Sequence, residues 1–365
     1  MNDLFFLRIF ENVLKYSEVN IMGENRTITI DDVARLAGVS KATVGRVVGN
    51  YGSVSDKAKE RVWEAVKQLD YQPNLIARGL RSQSTKTIAV IVGSIRNTYS
   101  TALVYAVEKE AQKKGYNVLI CTTHEDIEKE IKHLRDLSSK KVDGVILMSA
   151  YRADGNMDEK YREFYTSKLP IVFVDRNIPG INRDVIQSEN FAASYKATKY
   201  LLDMGHRKIG IIATSNFSTV QERIKGYKAA LTDGKIKFDE ALIASVDELS
   251  DKMSRKVCHE FLEKHTDITA LYVLNNSLCS GVLLELKERQ MKIPQDISLL
   301  VWDDEEYNEL LDITTIEQPI TEIGKQAIRR LFELIGEPEE TTEFECKKLN
   351  PELIIRKSCR SPNQS

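Results

Sequence analysis

The sequence predicts an α/β body of two doubly wound parallel-sheet lobes, preceded by a small all-α domain. From Thr87 onward, short β-branched runs alternate with amphipathic helical stretches, which is the pattern of βαβ units. The runs are too numerous for one compact sheet, and a chain of 365 residues exceeds what one hydrophobic core usually organises. Residues 29–70 show helical periodicity instead, so we expect this segment to fold separately.

The distribution of charge divides the chain at the same place. Residues 26–86 contain 11 Lys/Arg against 6 Asp/Glu, whereas residues 87–365 contain 39 against 44. A basic segment attached to an acidic body is typical of a nucleic-acid-binding appendage. The five cysteines lack C-x-x-C spacing, and no apolar run approaches the roughly 20 residues that span a bilayer. We therefore expect a cytoplasmic protein with reduced thiols, no metal, no cofactor and no membrane partner.

Three short helices are expected in the small domain. The first begins after a capping box at Thr29 and ends at Gly38, a residue that tolerates the left-handed backbone of a helix terminus. Ser40 caps the second helix, which runs to about Gly49, and Ser55 opens the third. Two helices joined by a short turn that contains glycine form a helix-turn-helix, whose second helix enters the major groove of DNA.

The second helix carries side chains suited to contacts with DNA bases. Its exposed start presents Lys41, Ala42 and Thr43, and Arg46 follows one turn later. Arginine can bond a guanine through two hydrogen bonds, and alanine can touch a thymine methyl group. The pattern alone leaves an alternative open, in which the three helices form a protein-interaction module and Arg46 is simply solvated.

The run Thr29–Val44 resembles the headpiece of the lac repressor (LacI/GalR) family of bacterial transcription regulators. The likeness continues through residues 46–48, 54–55 and 71–80. Gly45 and Gly49 replace the usual serine and asparagine of the family, which removes a hydroxyl able to contact a phosphate. The resemblance implies DNA contacts from Thr29, Ser40, Lys41, Ala42, Thr43, Arg46, Asn50, Tyr71, Asn74, Ala77 and Leu80.

The same resemblance implies a hinge helix within residues 73–86. In the family this segment orders on DNA and packs against its twin in the minor groove, where a leucine that matches Leu80 opens a base step. Gly79 weakens an isolated helix, which fits ordering only upon DNA binding. A plain linker is the alternative, because residues 81–86 are polar.

The large body is expected to bind a ligand in the cleft between its lobes, at the carboxyl ends of the strands. No G-x-G-x-x-G follows the first strand, no phosphate-binding G-x-x-x-x-G-K-[ST] occurs, and no histidine lies in a nucleophile motif, so we expect no catalytic residue. The predicted strands are 87–92, 117–120, 144–148, 171–174, 208–212, 271–274 and 297–301, with helices at 102–114, 127–137 and 190–203.

Several runs of the body resemble the effector domain of the same family, which is similar to periplasmic sugar-binding proteins. They include residues 174–176, 205–209, 222–227, 296–298, 302–304 and 314–319, and with the headpiece the likeness covers residues 28–357. Carboxylates, an arginine fork, an amide and aromatic faces suit a polyhydroxylated ligand. The resemblance implies effector contacts from Asn97, Tyr99, Asp175, Arg223, Asn275, Trp302 and Asp303. For the two aspartates, capping or ion pairing between lobes is the alternative.

The expected function is that of a homodimeric, sequence-specific repressor at the nucleoid of the bacterial cytoplasm, which binds double-stranded operator DNA and responds to a small sugar or sugar derivative. Two alternatives remain: a regulator controlled by a protein coregulator, and a solute-binding protein without a DNA function. The expected organisation is an N-terminal extension at 1–27, a headpiece at 28–72, a hinge and linker at 73–86, an effector-binding and dimerisation domain at 87–357 and a tail at 358–365.

Overall fold

The computed structural model describes residues 28–49, 51–71, 84–152, 159–214, 217–247, 249–336 and 344–362. The chain divides into two compact units, one up to residue 83 and one from Ser84 onward. The N-terminal extension, most of the expected hinge, and the predicted DNA contacts Asn50, Asn74, Ala77 and Leu80 lie outside the described residues.

The small unit consists of three helices in its described part: α1 (Ile30–Ala37), α2 (Lys41–Gly49) and α3 (Asp56–Gln68). Each helix turns its apolar side toward a shared core, as the periodicity of the sequence predicted. The fully or nearly fully buried core residues are Val33, Ala34, Ala37, Val44, Val47, Val62 and Ala65.

Helix α1 begins and ends where the sequence predicted. The N–H and the hydroxyl of Thr29 donate to the Asp32 carboxylate at 3.0 and 2.7 Å, and Gly38 has a φ of 60°. The Arg61 guanidinium of α3 donates to the Ala37 carbonyl at 2.6 and 2.9 Å, which satisfies a terminal carbonyl of α1. The capping box and this arginine therefore fix the helix at both ends.

The large unit contains two lobes, each built on one sheet. Lobe 1 comprises β1 (Thr87–Val92), α4 (Thr98–Lys113), β2 (Asn117–Thr122), α5 (Ile127–Ser139), β3 (Gly144–Leu147), α6 (Glu159–Thr166), β4 (Ile171–Val174), β5 (Asp184–Ser188), α12 (Ile320–Gly336) and β11 (Cys346–Leu349). Lobe 2 comprises α7 (Asn190–Asp203), β6 (Ile209–Thr214), α8 (Ser218–Asp233), β7 (Ile243–Val246), α9 (Asp251–Lys264), β8 (Ala270–Val273), α10 (Cys279–Glu288), β9 (Ser298–Trp302), α11 (Glu306–Leu310), β10 (Thr314–Glu317) and β12 (Glu352–Ile354). Two short 3-10 turns occur at Glu240–Leu242 and Asn276–Leu278.

Both sheets have the same strand arrangement within the described residues. The order is β11-β5-β4-β3-β1-β2 in lobe 1 and β12-β10-β9-β8-β6-β7 in lobe 2. Neighbouring strands are parallel except β12, which pairs antiparallel with β10. The predicted two-lobed, doubly wound fold is confirmed. The two orders match strand by strand, so β1 corresponds to β6 and β4 to β9.

The described chain passes between the lobes three times, after β5, after β10 and between β11 and β12. We call the connecting segments, residues 189–190, 318–319 and 350–351, the crossovers.

Helix α12 follows lobe 2 in sequence but packs on α4 and on β3, β4 and β5 of lobe 1. Its buried face completes the lobe 1 core with Ile323, Ala327, Ile328 and Leu331. Among the described residues, no helix is both long and apolar enough to cross a bilayer.

Candidate functional site

Strand ends from both sheets border one cleft between the two lobes. Its outer part has a volume of about 790 Å³, and its inner part has a volume of only about 30 Å³. The residues that line both parts include Asn97, Glu125, Phe217 and Asn276. The inner part also contains most of the predicted effector contacts, namely Asn97, Tyr99, Asp175, Arg223, Asn275 and Asp303. Strand ends that are distant in sequence therefore meet in one place, as doubly wound sheets require.

Two aspartates occupy equivalent positions in the two sheets. Asp175 follows β4, and Asp303 follows β9, the corresponding strand of lobe 2. Their backbones are left-handed, with φ values of 61° and 72°. Each backbone N–H donates to the neighbouring strand, at 3.0 Å to the Ile186 carbonyl and at 2.9 Å to the Ile316 carbonyl. A left-handed backbone is costly for a residue with a side chain, and these hydrogen bonds stabilise it in both lobes.

Arg223 of α8 is buried and lines the inner part of the cleft together with the two aspartates. Its Nε donates to Asn190 Oδ1 at 2.8 Å, and its Nη1 donates to the Leu274 carbonyl at 2.7 Å. Its guanidinium lies 3.8 Å from the centre of the Trp302 ring. Trp302 is fully buried and does not line the cleft, contrary to the expectation of a direct contact. Its ring packs against the Arg223 guanidinium instead.

Gly226 allows the helix that carries Arg223 to reach the first crossover. Helices α7 and α8 approach so closely at this glycine that a Cβ would overlap the Phe191 carbonyl and stand 2.9 Å from the Tyr195 nitrogen. Asn190, the partner of Arg223, is the first residue of α7. The absence of a side chain at position 226 therefore sets the position of the guanidinium.

Burial shifts the pKa values of the charged side chains in this cluster. It raises the pKa of the Asp303 carboxyl to about 6, against the opposing effects of Arg223 and of a 2.5 Å hydrogen bond from Gln318. Burial also raises the pKa of Asp175, while Arg176 and Arg223 oppose that shift. The pKa of the Arg223 guanidinium is lowered by desolvation and restored in part by Asp303 and Asp175. The two buried carboxylates thus offer acceptors to a polar ligand, and the desolvated Arg223 guanidinium offers donors.

Sequence reasoning missed a contact between the lobes beside this cluster. Arg176 pairs with Glu125 at 2.5 Å, and its guanidinium lies 3.7 Å from the centre of the Phe217 ring, at the start of α8 in lobe 2. Glu125 lies 51 residues before Arg176, so no local spacing connects them. Gln318 belongs to the family-like run 314–319, which was the available signal for its role.

The two asparagines that were predicted to contact an effector each accept a hydrogen bond from a nearby backbone N–H group. Asn97 Oδ1 accepts a hydrogen bond from the Tyr99 N–H at 2.8 Å and caps α4, which therefore begins four residues before the predicted helix. Asn275 Oδ1 accepts one from the Ser277 N–H at 3.0 Å. The buried Tyr99 hydroxyl has no hydrogen-bond partner among the described residues, and burial raises its pKa well above the usual value. A ligand at this point has an unused hydroxyl to contact.

The predicted DNA contacts of α2 lie on one side of that helix. Lys41, Ala42 and Arg46 are exposed, whereas Val44 and Val47 face the core. Lys41 forms an ion pair with Asp31 at 2.8 Å. The geometry is that of a helix whose outer face is available to a groove.

The remaining predicted contacts in the described headpiece are engaged locally. Ser40 Oγ accepts a hydrogen bond from the Thr43 N–H at 3.1 Å, which caps α2. Tyr71 packs against the core of the three helices, and Thr29 belongs to the capping box of α1. Roles in DNA and effector binding stay predictions for all of these residues. No cluster of three His, Cys, Asp or Glu side chains in the described part of the chain could hold a metal ion.

Comparison with known proteins extends over both units. The family model described as periplasmic binding proteins and sugar binding domain of LacI family matches residues 85–355, and the model for bacterial regulatory proteins, lacI family, matches residues 29–74. The HTH-type transcriptional repressor PurR of Haemophilus influenzae (strain PittEE) is 33% identical over 341 residues, which covers 91% of this chain and 99% of the relative.

Two further relatives show the same extent of similarity. The ribose operon repressor of Haemophilus influenzae (strain ATCC 51907 / DSM 11121 / KW20 / Rd) is 34% identical over 340 residues, which covers 91% of this chain and 99% of the relative. A solved complex of the transcriptional regulator CelR with cellobiose has a TM-score of 0.67 at 25% identity, and it covers 91% of this chain and 100% of that chain.

Proposed function

The chain belongs to the LacI family and is a DNA-binding transcriptional repressor modulated by an effector, and from this premise we propose that its inner cleft binds a polyhydroxylated effector through Asp175, Arg223 and Asp303. One observation carries the proposal: two equivalent carboxylates, one from each lobe, line the inner cleft together with the buried guanidinium of Arg223. Carboxylates accept from neighbouring hydroxyls, and the guanidinium donates in return. The cellobiose complex of the relative CelR supports a carbohydrate.

Binding at this cluster would act on two crossovers. Arg223 contacts Asn190 at the first crossover, and Gln318 of the second crossover donates to Asp303. An effector changes operator affinity only if it binds two lobe arrangements with different affinity. Contacts between the binding residues and the crossovers give the cleft such a connection.

A thermal-unfolding screen of the full chain with D-ribose, D-glucose and cellobiose tests this proposal. A ligand at a hundredfold its Kd should stabilise the protein by about 2.7 kcal/mol. We expect Arg223→Ala to abolish the shift and Lys225→Ala, an exposed change on the same helix, to preserve it. An unchanged shift in Arg223→Ala would contradict the proposed site. Regulation retained in both Arg223→Ala and Asp303→Ala would favour a protein coregulator instead.

The headpiece is proposed to span residues 28–72, with the hinge and linker at 73–86 and the effector domain at 87–357.

Arg46 is the proposed base-reading residue, because it is exposed on α2 beside Ala42. Arg46→Ala should weaken binding to a selected operator by about 1–3 kcal/mol while sparing random DNA. Lys57→Ala on α3 is the control. An equal loss on every sequence would assign Arg46 to a phosphate. Operator binding would hold the protein at the nucleoid.

We also propose that the protein is a homodimer. Large apolar side chains are exposed on both lobes, including Leu119 and Ile120 on the edge strand β2 and Leu310 after β9. Contiguous exposed apolar surface marks association sites, and a twofold dimer places the same patch on both partners. Sedimentation equilibrium should give a dimer that Ile120→Asp weakens. A monomer at micromolar concentration would refute this proposal.

A further inference from the structure

A cluster of polar side chains bridges the two lobes at the cleft. It consists of Asn97 and Thr98 from lobe 1 and Asn276, Ser277 and Glu305 from lobe 2, and we call it the interlobe clasp. The Asn97 amide donates to Ser277 Oγ at 2.9 Å and to Asn276 Oδ1 at 3.3 Å. The Asn276 amide donates to Thr98 Oγ1 and to Glu305 Oε1, at 2.8 Å each. The Thr98 hydroxyl donates to the same Glu305 oxygen.

Glu305 is the central acceptor of the interlobe clasp. Its Oε1 receives one hydrogen bond from each lobe, from Thr98 and from Asn276. Hydrogen bonds to an ionised carboxylate are roughly twice as strong as those between neutral groups. Glu305 also follows Asp303 by two positions, so one short loop carries both the clasp acceptor and an effector-binding carboxylate.

The interlobe clasp stands between the two parts of the cleft. Asn97 and Asn276 line both the outer cavity and the inner part. The inner part, at about 30 Å³, has room for about two water molecules, so a sugar ring cannot occupy it in this arrangement. Access to Asp175, Arg223 and Asp303 therefore requires the lobes to separate where the clasp joins them.

We propose that the interlobe clasp is the gate of the effector site, which keeps the inner cleft closed until the hydrogen bonds at Glu305 break. The inference rests on the proposed function only for the nature of the occupant, because the hydrogen bonds of the interlobe clasp join side chains of this chain alone. Breaking the clasp raises the fraction of molecules in which the inner cleft is open to solvent.

The accessibility of an introduced thiol measures this opening directly. Met148 lines the inner cleft and is buried, so Met148→Cys places a thiol behind the clasp. Labelling of the full chain by a maleimide is followed by mass spectrometry of peptides. The native Cys346 is exposed and reports free reaction, whereas Cys258 is buried with a pKa raised to about 12 and reports global unfolding.

We expect the introduced thiol to react slowly, and Thr98→Val and Glu305→Ala to accelerate its labelling at least about fivefold through the lost hydrogen bonds. Thr101→Val is the matched control, because its hydroxyl bonds only carbonyls of lobe 1 among the described residues. Rates at Cys346 and Cys258 should not change. If Glu305→Ala fails to fold, Thr98→Val decides, since it preserves the shape of the side chain.

Two results would overturn the proposal. One is rapid labelling of the introduced thiol with the interlobe clasp intact, which would mean that the cleft is open without effector. The other is an unchanged slow rate in folded Thr98→Val and Glu305→Ala variants. The assay contains no sugar, so a failed sugar screen with accelerated labelling refutes the proposed effector class and leaves the gate standing.

Discussion

The two lobes present the same aspartate in different surroundings. Asp175 of lobe 1 is followed by Arg176, whose Nε lies 3.4 Å from the Asp175 carboxylate. Asp303 of lobe 2 is followed by a second acid, Asp304, which Arg356 holds through both carboxylate oxygens at 2.7 Å. The two aspartates thus occupy equivalent backbone positions but have different partners. The Asp175 carboxylate of lobe 1 pairs with the adjacent residue, whereas the Asp303 carboxylate of lobe 2 depends on residues that are more distant in sequence.

The more distant partners of lobe 2 lie at the crossovers. Asp303 bonds Gln318, and Arg223 bonds Asn190, whereas the ion pair of Asp175 with Arg176 stays within lobe 1. The difference indicates a division of roles, in which lobe 1 supplies a fixed wall and lobe 2 connects the ligand site to the segments that join the lobes. Four substitutions test this comparison.

Gly226→Ala should break the contact of Arg223 with Asn190 at the first crossover. Of these substitutions, it should lower the free energy of unfolding most. The added methyl group overlaps the Phe191 carbonyl, so α8 must move away from α7 and Arg223 loses Asn190. Overpacking of this kind costs about 3 kcal/mol in the free energy of unfolding. Urea denaturation measures the loss, and Gly336→Ala, whose Cβ meets nothing within 4 Å among the described residues, is the control.

If Gly226→Ala left both stability and effector response intact, close packing of α7 on α8 would not position Arg223. A loss of stability with normal effector affinity would separate packing from binding and would count against the connection to the crossover.

Asp303 should make stability fall as pH rises, in contrast to an ordinary paired carboxylate. Its pKa of about 6 in the folded protein exceeds the unfolded value of about 4, so the folded state binds the proton more tightly between those values. The stabilisation is complete below about pH 4 and is lost as pH rises through 6. Between pH 4 and 7 the wild type should lose about 2 kcal/mol more than Asp303→Asn in urea titrations.

Asp175→Asn sharpens this test. The pKa of Asp175 is also raised, so the direction is the same, but Arg176 beside it should make the change smaller than for Asp303. A larger pH effect from Asp175→Asn would reverse the proposed difference between the lobes.

Arg356→Ala should produce a smaller loss confined to lobe 2. It removes two charged hydrogen bonds to Asp304 and costs about 1.5 kcal/mol in the free energy of unfolding. Lys357→Ala, the adjacent change, removes an ion pair with Asp312 in which the lysine is 81% exposed, and should cost less than about 0.5 kcal/mol. Equal losses in the free energy of unfolding from both substitutions would mean that Arg356 contributes no more to stability than the exposed ion pair of Lys357.

The sequence predicted the elements whose pattern is local. The three headpiece helices follow from their caps and periodicity. Strands β1, β3 and β4 are the apolar runs typical of buried parallel strands, and β2 is an apolar run at an exposed sheet edge. The five strands that were missed contain polar residues or are very short: β5 (Asp184–Ser188), β7 (Ile243–Val246), β10 (Thr314–Glu317), β11 (Cys346–Leu349) and β12 (Glu352–Ile354). Their pairing is set by contacts between distant parts of the chain, which periodicity does not record.

For the site, the positions at strand ends were predictable and the orientations were not. Asp175, Arg223 and Asp303 follow from the family-like runs and do lie together. The burial of Trp302 beneath Arg223 depends on the path of α8, which Gly226 sets through a contact with another helix. Gln318 lies in a crossover within a family-like run, which was the available signal for it. Glu125 lies in the loop after β2, so its pairing with Arg176 emerges only in the folded chain.

The three crossovers also determine when each lobe can mature during synthesis. Helix α12 and strand β11 of lobe 1 follow β6 to β10 of lobe 2 in the chain. A nascent chain that ends before Ile320 lacks the helix that covers α4 and exposes the apolar face that α12 would bury. Lobe 2 likewise awaits β12 for its last strand. Lobe 1 therefore cannot close its core until α12 has been synthesised, which is after β6 to β10 of lobe 2.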